Sequence, residues 1–216
     1  MKTILTILIT LALVPISDIA HNAYFTEKVD TNVIHFEKIF YNLWTGKPKL
    51  GILGTGVQIN YHHRQYILTN KHVCEGGMDR KGYMLADGLK RKVIAISKIH
   101  DLCLVEPIIY RSGLELADGV NSLEPLWLIG HPRGLALTRR RANYIATETE
   151  EFPWIGPMPV EYYFINVVSY GGNSGSPVVN YVGNVVGLLF GGYRGFHTEA
   201  FVVPVHSIKF FLDTRL

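Results

Sequence analysis

Cysteine is scarce in this chain of 216 residues: two are present, too few for a disulfide-dense scaffold or a four-thiolate zinc site. Charge of one sign is scarce too. Against 18 acidic side chains stand 21 basic ones, a formal net charge of +3 that leaves no electrostatic footprint for nucleic acid. No apolar run approaches the ~20 residues of a spanning helix, so no stable membrane anchor is expected. Helical periodicity is nearly missing. What the chain does have is apolar mass: 48% of its residues are hydrophobic and 18% charged, which excludes a disordered polymer. One sizeable globular domain, or two small ones sharing an interface, remains.

The N-terminus reads as a leader over 1–20. Lys2 precedes an apolar stretch from Thr3 to Val14, then Pro15 and a short polar tract ending near Ala20. That order matches a secretory signal, with a buried first strand as the alternative. The mature protein is then expected to be secreted or periplasmic, where two cysteines are free to pair. Beyond the leader, short β-rich runs dominate, at 56–59, 66–69, 92–96, 102–106, 126–129, 141–147, 162–167, 177–180, 185–190 and 200–203. Many short strands without intervening helices predict an all-β sandwich or barrels. One segment, 205–212, has helical spacing, with Val205, Ile208, Phe211 and Leu212 on one face. Turn-rich residues 111–124 separate two strand groups, 21–110 and 125–216, and read as the connection between halves.

Three local features can carry chemistry. Ile67-Leu68-Thr69-Asn70-Lys71-His72-Val73-Cys74 is a strand running into a histidine. His100-Asp101-Leu102-Cys103-Leu104-Val105 is an aspartate opening an apolar strand. Gly171-Gly172-Asn173-Ser174-Gly175-Ser176-Pro177 sets a serine in a glycine-rich bend before a strand. Glycines let the backbone turn sharply and present N–H groups to one side, where an oxyanion can be held. A serine hydroxyl is a weak nucleophile until an imidazole takes its proton, and that imidazole needs a carboxylate to fix its tautomer. Each feature alone is common; three of them, each abutting a strand, in the order His, Asp, Ser, are specific. The α/β-hydrolase elbow demands another order and a strand–turn–helix setting.

These stretches resemble the signatures of the chymotrypsin-fold serine proteases, in particular the single-chain bacterial HtrA/Deg protease domains and the glutamyl endopeptidases. Leu128-Ile129-Gly130-His131-Pro132-Arg133-Gly134 and Ala200-Phe201-Val202-Val203-Pro204 are similar to HtrA-type segments as well, so the likeness spans roughly residues 50 to 212. The resemblance implies two six-stranded antiparallel Greek-key barrels with a short C-terminal helix, His72 and Asp101 on the first barrel and Ser174 on the second. It implies His72 as general base, Asp101 as its orienting carboxylate and Ser174 as nucleophile, over an oxyanion hole of the Gly172 and Ser174 N–H groups. A polypeptide is the implied substrate, with no cofactor and no metal. In the digestive members an acid precedes the nucleophile and pairs with a newly cleaved N-terminus; here Asn173 stands in that place, so activity independent of such a bond is expected.

By the same likeness the specificity pocket involves Val168, Ser169 and Tyr170, with Phe190, Gly191 and Gly192 opposite and Ala200 behind. No acid sits at its base, and Leu189 occupies the place of the glutamyl endopeptidases' histidine. An apolar or small side chain before the scissile bond is expected, with His197 and Glu199 near enough in sequence to change that. Cys74 and Cys103 are either small buried hydrophobes or, since the fold brings His72 and Asp101 together, a disulfide. Arg139-Arg140-Arg141 reads as a solvated hairpin loop. Tyr61-His62-His63-Arg64 invites a metal reading, which strand alternation discounts because neighbouring side chains point to opposite faces. The proline-rich 152–159 segment is a rigid surface loop or a lip over the substrate. Two other outcomes stay open: a protease-like binding protein without catalysis, and a narrow self-processing protease or esterase. Nothing in the sequence fixes the oligomeric state.

Overall fold

A computed structural model describes residue 23 and residues 25–41, 48–193, 195 and 197–216; the leader expected at 1–20 lies outside them. Among the described residues twelve strands form two closed antiparallel barrels of six. The first comprises β1 (Val33–Tyr41), β2 (Pro48–Tyr61), β3 (Arg64–Thr69), β4 (Tyr83–Ala86), β5 (Leu89–Ile96) and β6 (Cys103–Val105). It closes in the order β1, β2, β3, β6, β5, β4. The second comprises β7 (Leu126–Gly130), β8 (Thr138–Glu150), β9 (Val160–Asn166), β10 (Pro177–Val179), β11 (Val185–Gly191) and β12 (Glu199–Pro204). Its order is β10, β11, β12, β9, β8, β7, the same winding as the first. Helix α1 (Lys71–Gly77) follows β3, and α2 (Val205–Asp213) ends the fold.

Burial explains the closure. Ile34, Phe36, Ile67 and Val105 fill the first barrel, and Leu128, Ile165, Val178 and Val202 the second. At roughly 1.5–3 kcal/mol for each large apolar side chain taken out of water, each barrel has its own core. A third cluster joins them: Val57, Leu68 and Leu104 from the first barrel meet Ile129, Val179 and Leu188 from the second. Helix α2 lays Ile208, Phe211 and Leu212 into that cluster, the face its spacing foretold.

Several local expectations change. His62 and His63 are not strand neighbours but the tip of the β2–β3 hairpin, with φ of 48° and 63°. Positive φ at both central residues is what a type I′ turn requires, and such a turn matches the twist of its strands. Among the described residues no cluster of three metal-ligating side chains occurs. Arg139, Arg140 and Arg141 lie inside β8, paired with Ile129, Leu128 and Trp127, rather than in a loop. Period-two alternation leaves Arg139 and Arg141 exposed, and the Arg139 guanidinium pairs with Asp30. No described helix is long and apolar enough to cross a membrane.

Candidate active site

Strand β3 stops at Thr69, Asn70 takes an extended conformation, and α1 begins, so His72 sits in the first turn of a helix at the barrel rim. Asp101 ends the bend between β5 and β6. Its carboxylate grips His72 twice: Oδ2 lies 2.6 Å from the ring Nδ1, and Oδ1 accepts the His72 backbone N–H at 3.0 Å. Asp101 is 2% exposed, whereas 41% of the His72 side chain is open to solvent. With Nδ1 donating to the buried carboxylate, Nε2 is left as a proton acceptor on the open side. Two further ties fix the pair. The Asn70 amide donates to the Asp101 carbonyl at 2.9 Å, and a Cys74–Cys103 disulfide joins α1 to β6 across a Cα separation of 6.5 Å. Of the two readings open to the cysteines, the bonded one is what the structure contains.

The serine bend belongs to the second barrel, and every carbonyl from Gly171 to Ser174 is held. The Gly171 oxygen accepts from the Arg133 N–H at 2.6 Å, the Asn173 oxygen from the Ser176 N–H at 2.8 Å and the Ser174 oxygen from the Thr55 N–H at 2.7 Å. The Gly172 oxygen accepts from the Thr55 hydroxyl at 2.8 Å. The N–H groups of Asn173, Gly175 and Ser176 are also used, by Tyr170, Leu189 and Asn173. Among the described residues, those of Gly172 and Ser174 donate to nothing. Two free donors on one bend beside a half-buried serine are groups of the kind that can hold an anion. Gly172 has φ +93°, and a Cβ there would lie 2.6 Å from the His131 carbonyl oxygen, so this position takes no other residue without distortion.

Histidine and serine segments meet at Gly54 of β2. A side chain on Gly54 would come 2.7 Å from Val73, the neighbour of His72, and 2.8 Å from the Ser174 carbonyl oxygen. Its absence lets the rim of one barrel and the bend of the other close on a single place. The structure thus gathers His72, Asp101, Gly172 and Ser174 at the seam between the barrels.

A cavity of about 310 Å³ opens beside Ser174. Of the expected pocket residues, Ser169, Tyr170, Gly191 and Gly192 line it, together with Gly171, Leu189, Tyr193, Gly195 and His197. Val168, Phe190 and Ala200 do not. A register shift in β11 between Leu189 and Gly191 sends Phe190 into the aromatic cluster of Phe152, Tyr162 and Phe201. Ala200 is sealed in the second barrel's core. The Tyr170 ring lies tilted against His197 at 5.0 Å between centroids, and the Arg133 guanidinium stands 4.3 Å from its ring centre. In the 152–159 segment, Phe152 and Ile155 are buried and Trp154 and Met158 exposed, and the Ile155 carbonyl accepts from Lys71, the residue before His72, at 3.4 Å.

Sequence reasoning missed Thr55 and the 131–134 turn as supports of the bend. The one signal was Gly54-Thr55-Gly56, a strand threonine between glycines. A Cβ on Gly56 would lie 2.6 Å from the Phe36 ring and 2.7 Å from the Leu68 carbonyl oxygen, so both glycines mark close approaches. Nearby, His131 stacks on His35 at 4.6 Å. Burial pushes the His131 imidazole below its ordinary value of 6.5; His35 pushes the same way, against the Leu135 carbonyl, Asp87 and Glu37.

The sequence profile of the trypsin-like peptidase domain matches residues 54–188. No curated protein sequence matches the chain. Among solved structures it is similar to the active form of the Rv3671c protease from M. tuberculosis, at 19% identity and a TM-score of 0.68 over 87% of this chain and 82% of that one. The inactive form of the same protease gives 18% and 0.68 over 87% and 90%. The HtrA-type protease AlgW with a decapeptide gives 18% and 0.71 over 90% of this chain and 66% of that one. At such identities the structural likeness speaks for the fold.

Proposed function

The chain belongs to the trypsin-like peptidase family and is a serine peptidase, and we propose that it cleaves polypeptides internally through His72, Asp101 and Ser174. In this reading the Ser174 Oγ attacks the peptide carbonyl carbon while His72 Nε2 takes its proton. Negative charge developing on the carbonyl oxygen is met by the N–H groups of Gly172 and Ser174. The imidazolium, stabilised by Asp101, returns the proton to the departing amine and an acyl-enzyme remains. Water, deprotonated by the same imidazole, then attacks the ester and frees Ser174.

The observation that carries the reading is the pattern of hydrogen bonding around the bend. Every carbonyl from Gly171 to Ser174 is occupied, while the N–H groups of Gly172 and Ser174, two residues apart on the bend, donate to no described residue. A protein that had kept the fold only as a binding scaffold would have no need to keep both donors free. Export is part of the proposal and is supported by the Cys74–Cys103 disulfide, since such bonds persist in oxidising compartments. Leu189, Gly191 and Gly192 in the cavity wall, with no carboxylate among its described residues, support a small or apolar side chain before the scissile bond.

A fluorophosphonate probe and a peptide-library digest test this directly. The wild-type protein is expected to be labelled at Ser174 and to cut with a preference the library reads out. Ser174→Ala should fold normally, escape labelling and lose hydrolysis by several orders of magnitude. Hydrolysis surviving in Ser174→Ala refutes the assignment.

A further inference from the structure

We infer that Thr55, on the barrel opposite to the serine bend, is the positioning residue that fixes the oxyanion hole; the inference rests on the peptidase reading above. Thr55 is completely buried, and all its polar atoms are engaged at the seam. Its N–H donates to the Ser174 carbonyl at 2.7 Å, and its own carbonyl accepts the Thr69 hydroxyl at 2.6 Å. The decisive atom is the side-chain oxygen. It accepts the His131 backbone N–H at 3.1 Å and lies 2.8 Å from the Gly172 carbonyl oxygen. A carbonyl cannot donate, so the hydroxyl hydrogen is committed to Gly172 while a lone pair serves His131.

The consequence follows from the freedom of glycine. Gly172 at φ +93° has no side chain to restrict the peptide planes on either side of it; the plane before it carries its N–H, and the plane after it sets where that donor stands relative to Ser174. The plane before Gly172 is pinned where the Gly171 carbonyl meets the Arg133 N–H. In a trans peptide the N–H points opposite to that carbonyl, away from the 131–134 turn. The plane after it is pinned by the Thr55 hydroxyl. Because the same hydroxyl holds the His131 N–H, it also sets the turn from which Arg133 reaches Gly171. One buried oxygen thus ties the three segments of the arrangement: β2, the 131–134 turn and the serine bend. Arg133 itself has a left-handed φ of 53°, a conformation an arginine keeps only when its surroundings hold it. Neither the N–H nor the carbonyl of Thr55 depends on its side chain; the hydroxyl bonds require threonine or serine.

Thr55→Val keeps shape and β-branching and removes only the hydroxyl's hydrogen bonds. It is expected to lower kcat by roughly 10- to 100-fold, less than or comparable to deleting a donor, with KM unchanged within about twofold. Binding of a peptide boronate, which places a tetrahedral oxyanion-like group in the hole, should weaken by a similar factor. Thr55→Ser, which restores the hydroxyl, should recover most of kcat. Should Thr55→Val fail to fold, Thr55→Ala measured per folded, titratable site takes its place with the same expectation. Wild-type kcat in the hydroxyl-less variant, losses that fall equally on kcat and folded fraction, or no recovery with serine would each overturn the role of Thr55. The peptidase reading fails separately, by a wild-type protein that neither labels nor cuts.

Discussion

Asp101 serves two donors of one histidine, and that economy explains why its burial is tolerated. An isolated carboxylate held at 2% exposure would be costly; here both oxygens are used, one by the ring and one by the backbone of His72. A second histidine shows the reverse balance. His131 is half-buried against His35, and that burial outweighs the pull of the Leu135 carbonyl, Asp87 and Glu37, so its folded state favours the neutral form. The unfolded chain therefore takes up the proton first as pH falls below the ordinary value near 6.5, and the native state loses stability through that window. Burial acts in the same direction on His100, seconded by His206 and opposed by Glu161. Thermal unfolding measured between pH 7.5 and 5.5 should show a falling midpoint, and His131→Gln should flatten the fall, since the amide cannot gain charge. A midpoint independent of pH across that range contradicts the assignment.

At the scale of the element, the Cys74–Cys103 bond joins α1 to β6 over 29 residues of chain. Cross-linking a loop of that length stabilises a fold by roughly 2–4 kcal/mol, mainly by restricting the unfolded chain. The double variant Cys74→Ala/Cys103→Ala should lose about that much in a denaturant titration, with the slope of the transition little changed. Elements were legible in the sequence where one face is buried and pattern survives: β3, β7, β9 and β11 stand where their apolar runs are, and α2 follows its spacing. Strand β1 was not foreseen, because His35, Glu37 and Lys38 interrupt its apolar residues although Ile34 and Phe36 are fully buried. Nor was β4, whose four residues are too few to show a period. The motif residues of the site were visible because glycine, histidine and serine at a strand end are chemically conspicuous. Of the cavity wall, Ser169, Tyr170, Gly191 and Gly192 were foreseen but Leu189 was not, since a register shift in β11 decides whether Leu189 or Phe190 faces it, and no single sequence announces a bulge.

At the scale of the whole molecule, the residue before the proposed nucleophile predicts activity that needs no cut to switch it on. Asn173 is 1% exposed and uncharged, so it cannot form an ion pair with a freed amino group. Adding a short, flexible extension to the mature N-terminus should leave kcat/KM within about threefold of the unextended protein, as read on one peptide substrate. A loss of several hundredfold would show that a terminus does enter the site. The two barrels otherwise depend on one another, since the bend that carries Ser174 is suspended from Thr55 of the opposite half. A chain with only its first half formed has a base and no blade; one with only its second half formed has a blade and no hand to steady it. On the proposed mechanism, then, neither half cuts alone: hydrolysis waits until both barrels are folded and docked.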